Sequence, residues 1–300
     1  MSEARTALVP QRVELADTPF FPQERYQCGP AALATVLNVR GVKVAPDELV
    51  PQVYLPAREG SLQVEMVAAV RRRGLLAIAV EPSLEALLEE IAAGRPVLVL
   101  QNLGLNWLPR WHYAVAIGYD LARRELVLRS GTEPRRVTPF GVFMKTWDRS
   151  SRWGIVVLEP GSLPAHAKPG PWLEAASALE TPGKWPQAQA AYRVAAARWP
   201  DNPIAWLGLG NAAHALGDAP AAEGAFRQTL RLRPDSAVAW NNLAYALAAR
   251  QCLRAAREAA RCAGRLAPDH AEIRHTLDEM RRLPVPGNEI CQALPACPVR

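Results

Sequence analysis

Apolar and polar positions alternate differently in the two halves of the chain. Up to about residue 160, helical periodicities are followed by short apolar runs typical of strands, whereas after residue 171 the pattern is helical. Gly41, Gly74 and Gly94 lie where three of the helical patterns end, as expected of C-terminal caps. The pattern predicts helices over 30–40, 46–52, 62–73 and 84–93, and strands over 77–80, 97–100, 112–118, 125–129 and 154–158.

The order of these elements predicts the fold class of the first half. Helices come first and most strands later, with a short turn over 121–124 joining two of the strands. Helices segregated from a mostly antiparallel sheet define an α+β domain.

The second half repeats with a period of 34 residues. Pro200, Pro234 and Pro268, each followed by Asp, recur at this interval, and so do three tryptophans, namely Trp172, Trp206 and Trp240. These columns resemble the tetratricopeptide repeat, which implies an all-α solenoid of helix pairs. Three units are expected over 172–205, 206–239 and 240–273, with a capping helix over 271–283.

Small residues within the repeats are expected to pack between helices. Ala190 and Gly224 are assigned to the contact between the paired helices, and Gly208 and Gly210 to packing inside a helix. Such solenoids present a concave surface that binds peptides or proteins. The alternative is a solenoid that only packs against the first domain.

Four segments follow from these patterns. We expect an α+β domain over 12–160, a Pro/Gly-rich linker over 161–171, the repeat domain over 172–283 and a flexible tail over 284–300.

Composition and charge narrow the function classes. The chain is 49% hydrophobic and 21% charged, as in globular proteins. Its net charge of +6 is dispersed, and Arg71-Arg72-Arg73 is read as a solvated face, so no nucleic-acid partner is expected. No apolar run is long enough to span a membrane, and no signal peptide is recognised, so the expectation is a cytoplasmic protein, or a periplasmic or exported one if the true start carries a missing signal.

The five cysteines give no metal signature. Cys28 stands alone, whereas Cys252, Cys262, Cys291 and Cys297 lie in the last fifty residues. The spacings contain no C-x2-C pair, so no metal or cofactor is expected. We expect the tail cysteines to be unpaired, the alternative being a Cys291–Cys297 loop in an oxidising compartment.

One cysteine and one histidine carry the candidate chemistry. Cys28 stands at a predicted helix start and is followed by Gly29 and Pro30, and His112 opens a predicted strand. Unpaired N–H groups at a helix start stabilise a thiolate, and an imidazolium from His112 would complete an ion pair. This arrangement predicts a cysteine peptidase, with Cys28 as nucleophile and His112 as general acid and base.

The segments Gln23 to Leu33 and His112 to Asp120 resemble the bacteriocin-processing, double-glycine leader peptidases. The resemblance covers about residues 15–160 and implies a papain-like fold and cleavage after a pair of small residues. It also implies a glutamine donor to the oxyanion, carried over to Gln23 with Gln27 as the alternative.

The residue that orients the histidine departs from the family pattern. The family has Asp or Asn about 18 residues after the histidine, where this chain has Ser130. A hydroxyl can bond the ring but brings no charge. Asn102 or Asn106 could substitute from a loop, whereas Asp120, at the tip of a turn, is expected to be solvated.

The sequence therefore predicts a cysteine peptidase acting on a peptide or protein substrate, with the repeats recruiting a protein partner. The alternatives are a weak or inactive peptide-binding scaffold and an amidase- or transglutaminase-like acyl transfer. Trp107 and Trp111, just before His112, are expected either to line the substrate cleft or to pack in the core or at its edge.

Overall fold

The computed structural model describes residues 9–22, 27–58, 60–284 and 291–298. The chain divides into two compact units, 1–171 and 172–300, which are described separately. Among the described residues, none of the helices is both long enough and apolar enough to cross a membrane.

The first unit is built around an antiparallel sheet. Its helices are α1 (Cys28–Val39), α2 (Pro46–Val53), α3 (Gln63–Arg72), α4 (Leu84–Ala92) and α5 (Phe140–Asp148). Its strands are β1 (Arg12–Glu14), β2 (Tyr54–Leu55), β3 (Gly60–Ser61), β4 (Leu76–Ala79), β5 (Val97–Asn102), β6 (Trp111–Asp120), β7 (Glu125–Ser130), β8 (Glu133–Pro139) and β9 (Gly154–Leu158).

Strand β6 lies in the interior of the main sheet. The main sheet runs β4-β9-β5-β6-β7-β8, and β1 pairs with the end of β6 beyond β5. Every pairing in it is antiparallel. The α+β prediction is confirmed, as are the helices and strands that the apolar pattern indicates.

The sheet buries apolar side chains on both faces. Alternate residues of β5 and β6, including Leu100, Tyr113 and Val115, form one core with α1. The other residues of the same strands face away from that core. Gln101, for example, donates to Thr146 of α5 at 2.6 Å. His112 pairs with Gln101 across β5 and β6, near the end of the two strands.

Sequence reasoning missed β8 and α5. β8 is an edge strand with prolines near its start and at its end, and most of its residues are exposed, so it has no apolar alternation to detect. α5 does carry a signal, because Phe140, Phe143 and Trp147 recur at helical spacing and are buried.

The second unit consists of antiparallel helix pairs. Its helices are α6 (Pro169–Ser177), α7 (Trp185–Arg198), α8 (Pro203–Ala215), α9 (Ala219–Leu232), α10 (Ala237–Ala249), α11 (Leu253–Leu266) and α12 (Ala271–Arg282). α6 begins three residues before the boundary between the units.

The 34-residue period has a direct structural cause. The indole N–H of Trp206 donates to the carbonyl of Pro200 at 2.7 Å, and that of Trp240 donates to Pro234 at 2.8 Å. Each tryptophan thus ties its helix to the Pro-Asp turn before it. Trp172 has no such turn and donates to Ala191 instead. The predicted all-α solenoid is confirmed.

The glycines of the repeats divide into two kinds. A Cβ on Gly208 would lie 2.2 Å from the ring of Tyr192, and one on Gly210 would lie 2.4 Å from the ring of Phe226, as the packing assignment requires. Gly224, assigned to a helix contact, is exposed with nothing within 4 Å of an added Cβ, so that assignment is wrong. Ala222, two residues earlier, is buried instead.

The tail prediction also needs correction. Disulfides Cys252–Cys291 and Cys262–Cys297 hold residues 291–298 against the repeats, so the expectation of unpaired tail cysteines in a flexible segment is wrong there. The guanidinium of Arg227 donates to two carbonyls of the same segment, those of Gln292 at 2.9 Å and Ala293 at 2.7 Å.

The linker segment is likewise anchored. The backbone N–H of Ala165 donates to Glu90 of α4 at 2.7 Å, and Lys168 forms an ion pair with Glu81. The composition of this segment shows only its prolines and glycines and does not predict contacts of this kind.

Alanine substitutions test the two kinds of glycine. We expect Gly208→Ala and Gly210→Ala each to lower the free energy of unfolding of the repeat unit by about 1–3 kcal/mol, because the new methyl overlaps an aromatic ring. Gly224→Ala, the matched control, is expected to raise it by about 0.5–1 kcal/mol through helix propensity. Urea unfolding followed by circular dichroism measures all three. Equal effects at the three positions would contradict this assignment.

Candidate active site

Cys28 is the first residue of α1, and its thiol is surrounded by backbone donors. The backbone N–H groups of Tyr113, Gly29 and Cys28 itself lie near the sulfur and act to lower the pKa of the thiol. Burial nevertheless dominates and raises the pKa of the thiol above its ordinary value. The resting side chain is therefore a neutral thiol at neutral pH.

Gly29 is required by the close approach of β3. A Cβ at this position would lie 2.3 Å from the hydroxyl oxygen of Ser61. The hydroxyl of Tyr113 donates to the carbonyl of Ser61 at 3.1 Å and fixes β3 against the start of α1. Tyr113 thus contacts the thiol through its backbone and the neighbouring strand through its side chain.

His112 is held by Ser130. The ring Nε2 lies 2.8 Å from the hydroxyl oxygen of Ser130, in the adjacent strand β7. Val115 pairs with Arg129, so alternation puts Ser130 and His112 on the same face of the sheet. With Nε2 engaged, Nδ1 is the nitrogen left for proton exchange.

The surroundings oppose a charged imidazole. Burial, with added repulsion from Arg136 and Arg110, lowers the pKa of His112 to about 4. About one ring in a thousand is then protonated at pH 7. Both pKa shifts favour the neutral forms of Cys28 and His112, and so they oppose the expected thiolate–imidazolium ion pair.

Tyr113 connects the two residues along the chain. The thiol of Cys28 lies near the backbone N–H of Tyr113, the residue directly after His112. Within the described residues, no hydrogen bond joins the thiol to the imidazole itself. Sequence reasoning missed Tyr113, since a donated backbone N–H leaves no side-chain signal.

The remaining candidates fall into three groups. Gln23 lies outside the described residues, and the Gln27 side chain makes no capping bond at the start of α1. Asp120 accepts from the N–H of Arg123, and Asn102 accepts from the N–H groups of Gly104 and Arg110, so both serve turns rather than the imidazole. Asn106 lies in an exposed loop.

The tryptophans before His112 are on the surface. Trp107 is 78% exposed and Trp111 is 54% exposed, so core packing is excluded. The loop that carries Trp107 is ordered by a pair of backbone hydrogen bonds between Leu105 and Leu108 at 3.1 Å. It presents apolar side chains next to the strand that bears His112.

Comparison with known families places these units. Residues 15–154 match the Peptidase_C39 like family, and residues 173–237 match the tetratricopeptide repeat. No curated protein sequence matches the chain.

Three solved structures each resemble one part of the chain. A C39-like peptidase from Bacillus anthracis is 18% identical, with a TM-score of 0.42 over 50% of this chain and 98% of that chain. The first TPR domain of human RPAP3 is 21% identical, with a TM-score of 0.36 over 37% and 87%. The Sgt2 TPR domain from Aspergillus fumigatus is 19% identical, with a TM-score of 0.36 over 42% and 89%.

The family matches define a C39-like peptidase domain joined to a protein-interaction domain. The chain carries an N-terminal Peptidase_C39-like domain followed by tetratricopeptide repeats.

Replacing Ser130 by aspartate tests the electrostatics of the site. A carboxylate beside Nε2 is expected to raise the pKa of His112 from about 4 by about 1–3 units, because it stabilises the imidazolium. Ser130→Asn is the control of similar shape without charge and is expected to leave the pKa near its original value. NMR titration of the His112 ring measures both. Equal titration of the Asp and Asn variants would contradict the assignment.

Proposed function

We propose that the first unit is a cysteine peptidase that uses Cys28 as nucleophile and His112 as general base and acid. One observation carries the proposal: the Cys28 thiol lies beside the backbone N–H of Tyr113, the residue after His112, and the His112 ring is hydrogen-bonded to Ser130. The match to the peptidase family supports the same assignment.

The neutral resting pair determines the order of proton transfer. His112 takes the thiol proton at Nδ1 as the Cys28 sulfur attacks the substrate carbonyl carbon. The imidazolium then gives this proton to the leaving amine as the C–N bond breaks, and water hydrolyses the resulting thioester. Ser130 accepts from Nε2–H while the ring is charged.

The oxyanion of the tetrahedral intermediate needs N–H donors. The backbone N–H of Cys28, at the start of α1, is the proposed donor from the described residues. Gln23 remains the proposed side-chain donor on the strength of the resemblance.

The repeats are proposed to recruit a protein substrate or partner. Ile204 and Val238 occupy equivalent places in consecutive repeats and are 56% and 47% exposed. Asn211 and Asn242 are joined by a 2.9 Å hydrogen bond between the helices α8 and α10. Exposed apolar side chains that recur with the period, together with amide groups between neighbouring helices, suit the binding of an extended peptide.

A weaker catalyst is the second candidate, and the electrostatics of the site favour it specifically. Ser130 brings no charge, and Arg110 and Arg136 disfavour the imidazolium that the reaction needs. A scaffold that binds peptides without cleaving them would have the same fold.

Peptide cleavage separates these candidates. The full chain is incubated with a proteome-derived peptide library, and new termini are identified by mass spectrometry. We expect cleavage by the wild type, its loss in Cys28→Ala, and a fall of about 100- to 10,000-fold in His112→Ala, which lacks the general base. Cleavage that persists in Cys28→Ala, or none by the wild type, would overturn the peptidase proposal.

A further inference from the structure

Two arginines lie on the same face of the sheet as His112. Arg110 precedes His112 by two residues and extends the strand, since its carbonyl accepts from the N–H of Leu103 at 2.9 Å. Arg136 of β8 pairs with Leu128, which in turn pairs with Ala116 of β6. Because side chains alternate along β6, Arg110, His112 and Ala116 lie on one face of the sheet, and Arg136, in register with Ala116, lies on the same face.

These arginines lack strong acidic partners. Among the described residues, the Arg110 guanidinium has no hydrogen bond or ion pair. Arg136 meets only Glu133, at 3.6 Å, and both side chains are about half exposed, at 46% and 59%. An exposed pair at this separation contributes little. Both cations are therefore available to a ligand.

Arg135, the residue before Arg136 on β8, does have a carboxylate partner. Arg135, on the opposite face, is engaged by both carboxylate oxygens of Glu14, at 2.8 and 3.0 Å. The chain thus provides a carboxylate for the arginine that faces away from His112. Among the residues that the structure describes, no carboxylate engages the two arginines that face the same way with comparable geometry.

The reaction itself needs a negative charge at this place. His112 becomes positively charged between thiol attack and departure of the amine, and the Ser130 hydroxyl is uncharged. Two cations on the same face oppose that intermediate. An anion between the arginines would remove the repulsion, and guanidinium groups bind carboxylates with directed hydrogen bonds.

We propose that the face of the sheet that carries Arg110, His112 and Arg136 selects peptides that place a carboxylate beside the scissile bond. Arg110 and Arg136 bind this carboxylate, and the bound carboxylate offsets the charge of His112 during catalysis. The inference rests on the proposed peptidase function and specifies its substrate class. The carboxylate is either an Asp or Glu side chain or the C-terminus of the substrate, which the same guanidinium chemistry would recognise.

Three matched octapeptide libraries distinguish the two sources. One carries a fixed central Glu and an amidated C-terminus, one carries a fixed central Gln and a free C-terminus, and the neutral match for both carries a fixed central Gln and an amidated C-terminus. The full chain is incubated with each, and kcat/KM is obtained from the summed products. We expect the library with the effective carboxylate to be cleaved about 10- to 100-fold faster than its neutral match.

Charge-removing variants locate the effect. Arg110→Gln and Arg136→Gln are each expected to reduce this preference to less than about threefold. Arg123→Gln removes the same charge from an exposed turn at the other end of β6 and is expected to retain it. Ser130→Asp supplies a carboxylate from the chain itself and is expected to narrow the preference by raising the rate on neutral peptides. A substitution that only removed binding surface would not raise the rate on neutral peptides.

The outcomes separate this inference from the peptidase proposal. Equal cleavage of acidic and neutral libraries would overturn the inference and leave the peptidase intact. If the wild type cleaves none, binding of the same libraries to Cys28→Ser is measured by affinity-selection mass spectrometry. Retention of the acidic libraries that depends on Arg110 and Arg136 would support the carboxylate site without catalysis, whereas equal or absent retention would overturn it.

Discussion

The hydrogen bond between His112 and Ser130 is the constraint on which the site depends. It joins β6 to β7, directs Nε2 away from proton exchange, and does so without a charge. An aspartate in this place would stabilise the imidazolium, whereas a hydroxyl leaves burial and two arginines to determine the proton affinity of the ring. The neutral thiol and the neutral imidazole follow mainly from the burial of the two side chains.

Backbone groups complete the site where side chains do not. The central strand gives the Tyr113 N–H to the thiol, and α1 gives the N–H groups of its first turn. Only a helix start placed against β6 allows this, and Gly29 permits the approach of Ser61 that holds it there. Because these donors belong to the sheet and the helix, the geometry around Cys28 is as rigid as the fold.

The sequence predicts the place of a residue in the structure when its type or its spacing has a single structural cause. Cys28 and His112 stand out by residue type, and the tryptophan and proline columns stand out because indole N–H groups bind proline carbonyls every 34 residues. The α+β order and the helix pairs follow from apolar periodicity in the same way. Ser130 is found by its distance from His112 along the family pattern.

Other features depend on tertiary contacts that no local pattern reports. The exposed edge strand β8 has no buried face, yet it brings Arg136 to the face of His112. Residues 291–298 belong to a proline-rich stretch that composition predicts to be flexible, but two disulfides hold them to the repeats. Gly224 resembles a packing residue by composition and faces solvent because the helix rotation, fixed by Ala222 and Phe226, turns it outward.

The most direct test of the neutral pair is the rate of Cys28 alkylation by iodoacetamide as a function of pH, in the wild type and in His112→Ala. Cys28 is the one cysteine outside the two disulfides, so without reduction it alone reacts. The account predicts a single inflection above about pH 8.5, with no plateau at lower pH. A reactive plateau extending below pH 6 that His112→Ala abolishes would show an ion pair and contradict it.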